Sequence, residues 1–406
     1  MIDETLTVIL AGDAGPDLHP LTDDRAIPAI PFGGKYRVID FPLANCLHSG
    51  LRRILVLTQY KSFSLQKHLR DGWSIFNPEL GEYVTPVPPQ MRHGERWYAG
   101  GADAIYQNLY LLERSGARWV FVLSANDIYR MDYSAMLKFH CEHNADVTIA
   151  GIEMPLSAAG NHGVISETED GMVSHIGVNP GGVASGESDT GSLISMGVYL
   201  FSMDLLLDAV KRDSDADDSG HDFEKNIIPK LLGEKRVFSY HFGKKEGRVT
   251  PDRYWRVINS IDQYYDANMD LLKTETPIDL YQSDWPIRTH QLQCPPARTV
   301  PGDEGSEGIS INSIVSSGVV IKGGSVQQSI LSPNVFVDDE ATVYGSILFN
   351  GVKIGKGARL QNCIIDKDVI VPDGESIGFE PGIDKARFTI SEKGIIVVPK
   401  GYRFSE

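Results

Sequence analysis

Apolar residues in the first two thirds of the chain fall into short runs that end in glycine, serine or charged turns. Leu6 to Leu10 is followed at once by Ala11-Gly12, and further runs stand at Ile54 to Leu57, Trp119 to Leu123 and Val147 to Ala150. Runs this short, bounded by turn formers, predict buried strands, and the segments between them are long enough for crossover helices. Such alternation predicts an α/β layered domain on a mostly parallel sheet, with ligands at the carboxyl ends of the strands. Two polar stretches, 181–191 and 213–220, lack apolar periodicity and are expected as loops.

The pattern changes after Trp285-Pro286. A connector containing Cys294-Pro295-Pro296 leads to a polar stretch near Gly308, and beyond it apolar residues recur every six positions. The runs are Ile314, Val320, Val326; Val337, Val343, Phe349; Ile354, Leu360; and Ile365, Val371, Ile377. Six is the hexapeptide period of a left-handed parallel β-helix, in which each side of a triangular coil sends one aliphatic side chain inward, and phase slips mark insertions. The expected organisation is an α/β domain over 1–285, a linker over 286–308 and a β-helix domain over 309–406. Acyltransferases built on this repeat need a histidine base in the coils, and residues 309–378 contain no histidine. The β-helix is therefore expected to be structural and oligomerising.

Composition narrows the function classes. With 406 residues, 38 Lys+Arg and 54 Asp+Glu, the formal charge is −16, and no basic stripe offsets it, so nucleic acid is not an expected partner. The four cysteines, Cys46, Cys141, Cys294 and Cys363, have no C-x-x-C spacing, which fits a reducing cytoplasm and excludes a disulfide scaffold or zinc ribbon. No apolar run reaches the ~18 residues of a membrane span, and Met1-Ile2-Asp3-Glu4 lacks the basic start of a signal peptide. A cytoplasmic protein with no membrane partner is expected.

The segment Pro28 to Cys46 (Pro-Ala-Ile-Pro-Phe-Gly-Gly-Lys-Tyr-Arg-Val-Ile-Asp-Phe-Pro-Leu-Ala-Asn-Cys) resembles the signature of the ADP-glucose pyrophosphorylase (glucose-1-phosphate adenylyltransferase) family. The resemblance continues in collinear order through Val56 to Ser62, Trp97-Tyr98, Ala102-Asp103-Ala104, Tyr129 to Tyr133, Ser195 to Tyr199 and Trp285 to Thr289. It implies a Rossmann-like nucleotidyltransferase domain followed by the β-helix, in a cytoplasmic tetramer of glycogen or starch synthesis. The implied reaction joins ATP and glucose 1-phosphate into ADP-glucose and pyrophosphate under allosteric control. That chemistry needs cations against the triphosphate and Mg²⁺ held between carboxylates and phosphate oxygens.

The chain departs from the family pattern where that chemistry resides. The family's phosphate loop, Leu-Ala-Gly-Gly-x-Gly-Ser/Thr-Arg-Leu, reads here Leu10-Ala11-Gly12-Asp13-Ala14-Gly15-Pro16-Asp17-Leu18, so Asp13 replaces a glycine and Asp17 the arginine. The lysine of Arg-Ala-Lys-Pro-Ala is Ile27, although Arg25 remains. Asn126 stands at the first metal carboxylate and Val257 at the second, leaving no pair to hold Mg²⁺; strand alternation turns Asp127 away from the role. Asn179 replaces the lysine of the Glu-Lys-Pro turn that binds glucose 1-phosphate, whereas Tyr98, Gly163 and Ser195 match sugar-phosphate contacts. The cleft motif His221 to Asn226 carries Glu224 for glycine and Asn226 for aspartate. His140, Glu142 and His143 share an expected helix, and a solvated face is the favoured reading over metal ligation.

These departures predict a non-catalytic regulatory subunit or pseudoenzyme homologue of glucose-1-phosphate adenylyltransferase. Its expected partner is a catalytic paralogue, or copies of itself in a homotetramer. The alternatives are an active adenylyltransferase of low or altered activity, and a sugar-phosphate or nucleotide sensor. The resemblance places anionic effectors where the two domains meet, with Arg25 and Arg37 as candidates and Arg359, Lys400 and Arg403 as further contributors. Asp24 and Pro31 stand where some bacterial members carry a lysine and a histidine for effectors.

Overall fold

A computed structural model describes residues 1–90, 97–156, 162–177, 191–244, 247–249, 253–303 and 305–404. Strands β1 (Thr5–Ala11), β2 (Arg53–Thr58), β3 (Tyr83–Val87) and β4 (Trp119–Ser124) are parallel, in the spatial order β4-β1-β2-β3. Alternate side chains of β1 enter two separate cores, Leu6 and Val8 on one face, Ile9 and Ala11 on the other. Burial on both faces is why these strands read as unbroken apolar runs.

The rest of the sheet is mixed. Strands β5 (Asp127–Tyr129), β6 (Val147–Met154), β7 (Val164–Glu167), β8 (Val173–Gly177), β9 (Ser192–Ser202), β10 (Val237–His241) and β11 (Trp255–Val257) follow, and a short antiparallel pair, Pro31–Phe32 with Tyr36–Arg37, lies apart from them. The run at 147–150 does not join the parallel core directly. Antiparallel β9 is inserted between β4 and β6, and β6 then pairs in parallel with β10. Local periodicity cannot show this, because it reports the burial of a strand and not its neighbour. Short β5 and β11 form a separate antiparallel pair that sets Val257 opposite Asp127.

The C-terminal domain is a left-handed parallel β-helix of three sheets. Val326, Val343, Leu360 and Ile377 stack in register along one of them. Ile330 pairs with Ile347 and Ile347 with Ile364, so a coil takes 17 residues and one side of each triangle is a residue short of the hexapeptide. That shortening corrects the expected phase: Ile321 and Leu348 point into the coil, while Val320 is only partly buried and Phe349 packs edge-on against Tyr264 outside it. Ile314, on the first coil, is partly buried against the α/β domain. The coil's first strand, Arg298–Val300, pairs with Val320–Lys322 and lies within the stretch expected as linker. Stacked corners at Gln328, Gly345 and Asn362 have φ of 48°, 53° and 49°, left-handed backbone that glycine and asparagine adopt most readily.

One sheet of the coil is apolar on both faces. Leu331, Leu348, Ile365 and Val398 point into the coil; Ile330, Ile347, Ile364 and Val397 point out and join the core of the α/β domain. At about 1.5–3 kcal/mol for each aliphatic side chain buried, this outward ladder is the main adhesive between the domains. Beside it one guanidinium nitrogen of Arg25, Nη2, donates to both carboxylate oxygens of Asp366 at 3.0 Å, with both side chains buried. Burial raises the Asp366 carboxyl pKa even with Arg25 opposing. Removing one partner leaves the other charge uncompensated, so Arg25→Ala should lower the unfolding free energy by about 3–5 kcal/mol. Arg25→Met with Asp366→Leu should recover most of that loss; denaturant unfolding of the two variants checks both expectations.

Candidate functional site

The carboxyl ends of β1, β2 and β4 open into a cleft of about 820 Å³. Its described lining contains Asp13, Asp127, Asp222 and Glu224, and no lysine or arginine. Asp13 follows β1 and folds its carboxylate onto its own loop, accepting the Gly15 N–H at 2.9 Å on one oxygen and the Asn126 side-chain amide at 2.9 Å on the other. Gly15 has φ +56°, and a Cβ there would lie 2.6 Å from the Ile27 side chain. Ile27, buried in the turn Ile27–Ala29, therefore seats the loop from beneath and does not face the cleft. Asp17 is exposed on the turn Pro16–Leu18, outside the described lining.

The floor comes from the β4–β5 junction. Because β4 ends at Ser124 and the chain turns before β5, the alternation expected to turn Asp127 away does not apply, and Asn126 and Asp127 both line the cleft. Asp127 is 1% exposed, and no hydrogen bond of good geometry reaches either oxygen. Burial drives its pKa up to about 6, with Glu224 adding to the rise while His162 and the nearby Ser124 hydroxyl favour the anion.

Glu224 takes up donors on the far side. It accepts the Gly163 N–H at 2.7 Å and the Tyr199 hydroxyl at 2.8 Å, and burial together with that carboxylate raises the Tyr199 phenol far above its ordinary pKa. Asp222 caps the following turn, accepting the N–H groups of Glu224 and Lys225 at 2.8 and 2.9 Å. Of the expected sugar-phosphate contacts, Tyr98 lines the cleft, its hydroxyl accepting from Asn108 at 2.9 Å. Gly163 has given its N–H to Glu224, and Ser195 is fully buried outside the lining. Asn179 lies outside the described residues.

The side chains at the two metal positions do not fit Mg²⁺. Asn126 offers a neutral amide oxygen in place of a carboxylate, Val257 offers no side-chain oxygen, and among the described residues no three His, Cys, Asp or Glu converge to hold an ion. His140 is buried, not solvated as the helical reading had it. Its Nδ1 bonds the Thr148 hydroxyl at 2.8 Å and burial lowers its pKa to about 4, while His143 stacks on Phe139 with centroids 4.0 Å apart.

A second cavity, of about 790 Å³, lies between the domains and has the opposite charge. Lys35, Arg37, Lys67 and Lys367 line it against one described carboxylate, Asp71. Arg37 donates to the Ser64 carbonyl and hydroxyl at 2.8 and 3.0 Å, and burial lowers its pKa to about 10. Lys367 was not legible in the sequence; burial, with Arg37 and Arg25 nearby, brings its pKa to about 8. The other effector candidates are dispersed. Arg25 is held by Asp366, Lys400 pairs with Asp24 at 3.0 Å, Arg359 lies 4.1 Å over the Phe379 ring, and Arg403 is exposed.

A cleft at the carboxyl edge of such a sheet, followed by a hexapeptide coil, defines a class that the family comparisons also report. The model described as nucleotidyl transferase matches residues 6–274, and the one described as GlmU-like, C-terminal hexapeptide matches 295–398. Within that class the chain belongs to the glucose-1-phosphate adenylyltransferase family. It is 54% identical over 405 residues to the Vibrio cholerae protein named glucose-1-phosphate adenylyltransferase 2, covering 100% of both chains. It is 57% identical over 404 residues to a Vibrio vulnificus (strain YJ016) protein of the same name, covering 99% of this chain and 100% of that one. A Koribacter versatilis glucose-1-phosphate adenylyltransferase is 42% identical over 409 residues, with 99% and 97% covered. Among the described residues no helix is long and apolar enough to cross a membrane.

The folded state holds the Asp127 proton more tightly than an ordinary carboxyl of pKa 3.8 would. Its cost is thus absent below about pH 4, grows as pH rises through the folded value near 6, and is complete above it, reaching roughly 2–3 kcal/mol. Asp127→Asn should therefore stabilise the protein by about that amount at pH 8 and by nearly nothing at pH 4, measured by urea unfolding at the two pH values.

Proposed function

We propose that this chain is a glucose-1-phosphate adenylyltransferase homologue that does not itself transfer adenylyl groups and serves as a regulatory subunit to a catalytic relative. One observation carries the reading: the cleft presents four acidic side chains, no described lysine or arginine and, with Asn126 and Val257, no carboxylate at either metal position. Adenylyl transfer depends on charge stabilisation at the triphosphate, and at an effective dielectric near 20 two like charges ~4 Å apart cost about 4 kcal/mol. The cationic interdomain cavity supports the regulatory half, since an anionic effector there would touch both domains and bias their arrangement. A tetramer or mixed tetramer is the assembly proposed for it.

A second reading, an active enzyme making ADP-glucose and pyrophosphate from ATP and glucose 1-phosphate, is favoured by a different observation. Relatives 54–57% identical over essentially the whole chain carry that enzyme's name, and the names support catalysis more directly than they support a regulatory role. A single assay separates the two. With ATP, glucose 1-phosphate and Mg²⁺, the purified chain should form ADP-glucose at least about a thousandfold more slowly than a catalytic relative, whereas robust turnover establishes the second reading. Added to that relative, it should shift the effector concentration dependence, and Arg37→Ala should weaken the shift; superimposable curves contradict the regulatory role.

A further inference from the structure

A groove of about 600 Å³ runs between the helix Ile261–Met269, with the turn that follows it, and one corner of the coil. That corner stacks Asn312, Gln328, Gly345 and Asn362, one from each turn of the coil, with rungs about 4.8 Å apart. Asn312 and Gln328 are exposed and Asn362 is half-buried. Among the described residues no hydrogen bond reaches any of these three side-chain amides. Gly345 keeps the third rung open, because a Cβ there would stand 2.5 Å from Asn362 Oδ1. Tyr265 is fixed in the groove by donating its hydroxyl to the Gly345 carbonyl at 2.5 Å, and Tyr344, 44% exposed, lines it beside the ladder.

The lining restricts what can bind. Its one described charged side chain, Lys273, is paired with Asp270 at 2.5 Å, so an ion finds no free charge. The backbone of the corner is spent within the coil: the N–H groups of Gln328, Gly345 and Asn362 each donate at 3.1 Å to the preceding turn. No open strand edge is left there for a peptide to extend. An apolar body would strip water from the amides without replacing it. The match is a ligand whose polar groups both donate and accept, as each amide does, and whose ring faces are apolar enough to lie on tyrosine. We propose that this groove binds a neutral oligosaccharide, with hydroxyls on the amides of Asn312, Gln328 and Asn362 and a pyranose face on the Tyr344 ring. The ladder from Asn312 to Asn362 is about 14 Å long at this rung spacing, so linked sugar rings reach all three amides and a single ring does not. The volume lies within the roughly 300–1,000 Å³ of small-molecule sites. The groove shares no lining residue with the acidic cleft or the cationic cavity, so the inference stands apart from whether the chain catalyses.

Titration calorimetry of the full chain with maltotriose, cellotriose and glucose tests this. At least one trisaccharide should bind at millimolar concentration, at least about tenfold more tightly than glucose, and the two arms distinguish an α-linked from a β-linked chain. Tyr344→Ala, at an exposed position, should weaken that binding about tenfold with the melting temperature unchanged. Gln328→Ala should weaken it severalfold, and triglycine should not compete. No trisaccharide binding at millimolar concentration, equal affinity for glucose, competition by triglycine, or an affinity unchanged in Tyr344→Ala would each overturn the proposal.

Discussion

A sheet that is buried on both faces fixes how this molecule is put together. In a free-standing β-helix the outward residues of a coil can meet water, but here the ladder Ile330, Ile347, Ile364 and Val397 faces the α/β core as the neighbouring inward residues face the coil. The coil therefore cannot detach without exposing aliphatic surface and stranding the Arg25–Asp366 pair. From the helix Ile261–Met269, Tyr265 reinforces the contact by donating to the Gly345 carbonyl at 2.5 Å, and Tyr264 by packing edge-on against Phe349. The interdomain cavity exists because this docking holds Arg37 of one domain and Lys367 of the other along one wall.

With the frame fixed, the two cavities diverge in charge. Donors that a bound anion would need in the cleft are taken by the chain's own carboxylates: the Gly15 N–H by Asp13 and the Gly163 N–H by Glu224. The substitutions at 13 and 126 also belong together. An aspartate at 126 would set a second carboxylate at hydrogen-bonding distance from Asp13, whereas Asn126 donates to it at 2.9 Å. The interdomain cavity instead gathers cations, and burial makes Arg37 and Lys367 among them easier to discharge than usual. An anion there relieves mutual repulsion; in the cleft it adds to repulsion.

Local pattern made part of this legible. The runs at Leu6 to Leu10, Ile54 to Leu57 and Trp119 to Leu123 are β1, β2 and β4, because strands buried on both faces leave continuous apolar sequence. The six-residue period likewise exposed the coil, although the one-residue shortening per turn hid which of Val320 and Ile321 points inward. What escaped depends on distant parts of the chain. The insertion of β9, the Asn126–Asp13 bond across 113 residues and the Arg25–Asp366 pair across 341 have no local signature. Asp127 escaped for another reason: alternation assumes a continuing strand, and β4 had ended three residues earlier.

The central claim, that the cleft's side chains oppose adenylyl transfer on a scaffold otherwise able to support it, is tested most directly by restoring them. One variant would combine Asp13→Gly, Asp17→Arg, Ile27→Lys, Asn126→Asp, Asn179→Lys, Glu224→Gly and Val257→Asp. Its rate of ADP-glucose formation with ATP, glucose 1-phosphate and Mg²⁺ would be measured beside that of the natural chain. The account predicts a gain of at least about a hundredfold over a natural chain that is nearly inactive. A natural chain that already turns over as fast as the restored one would contradict it.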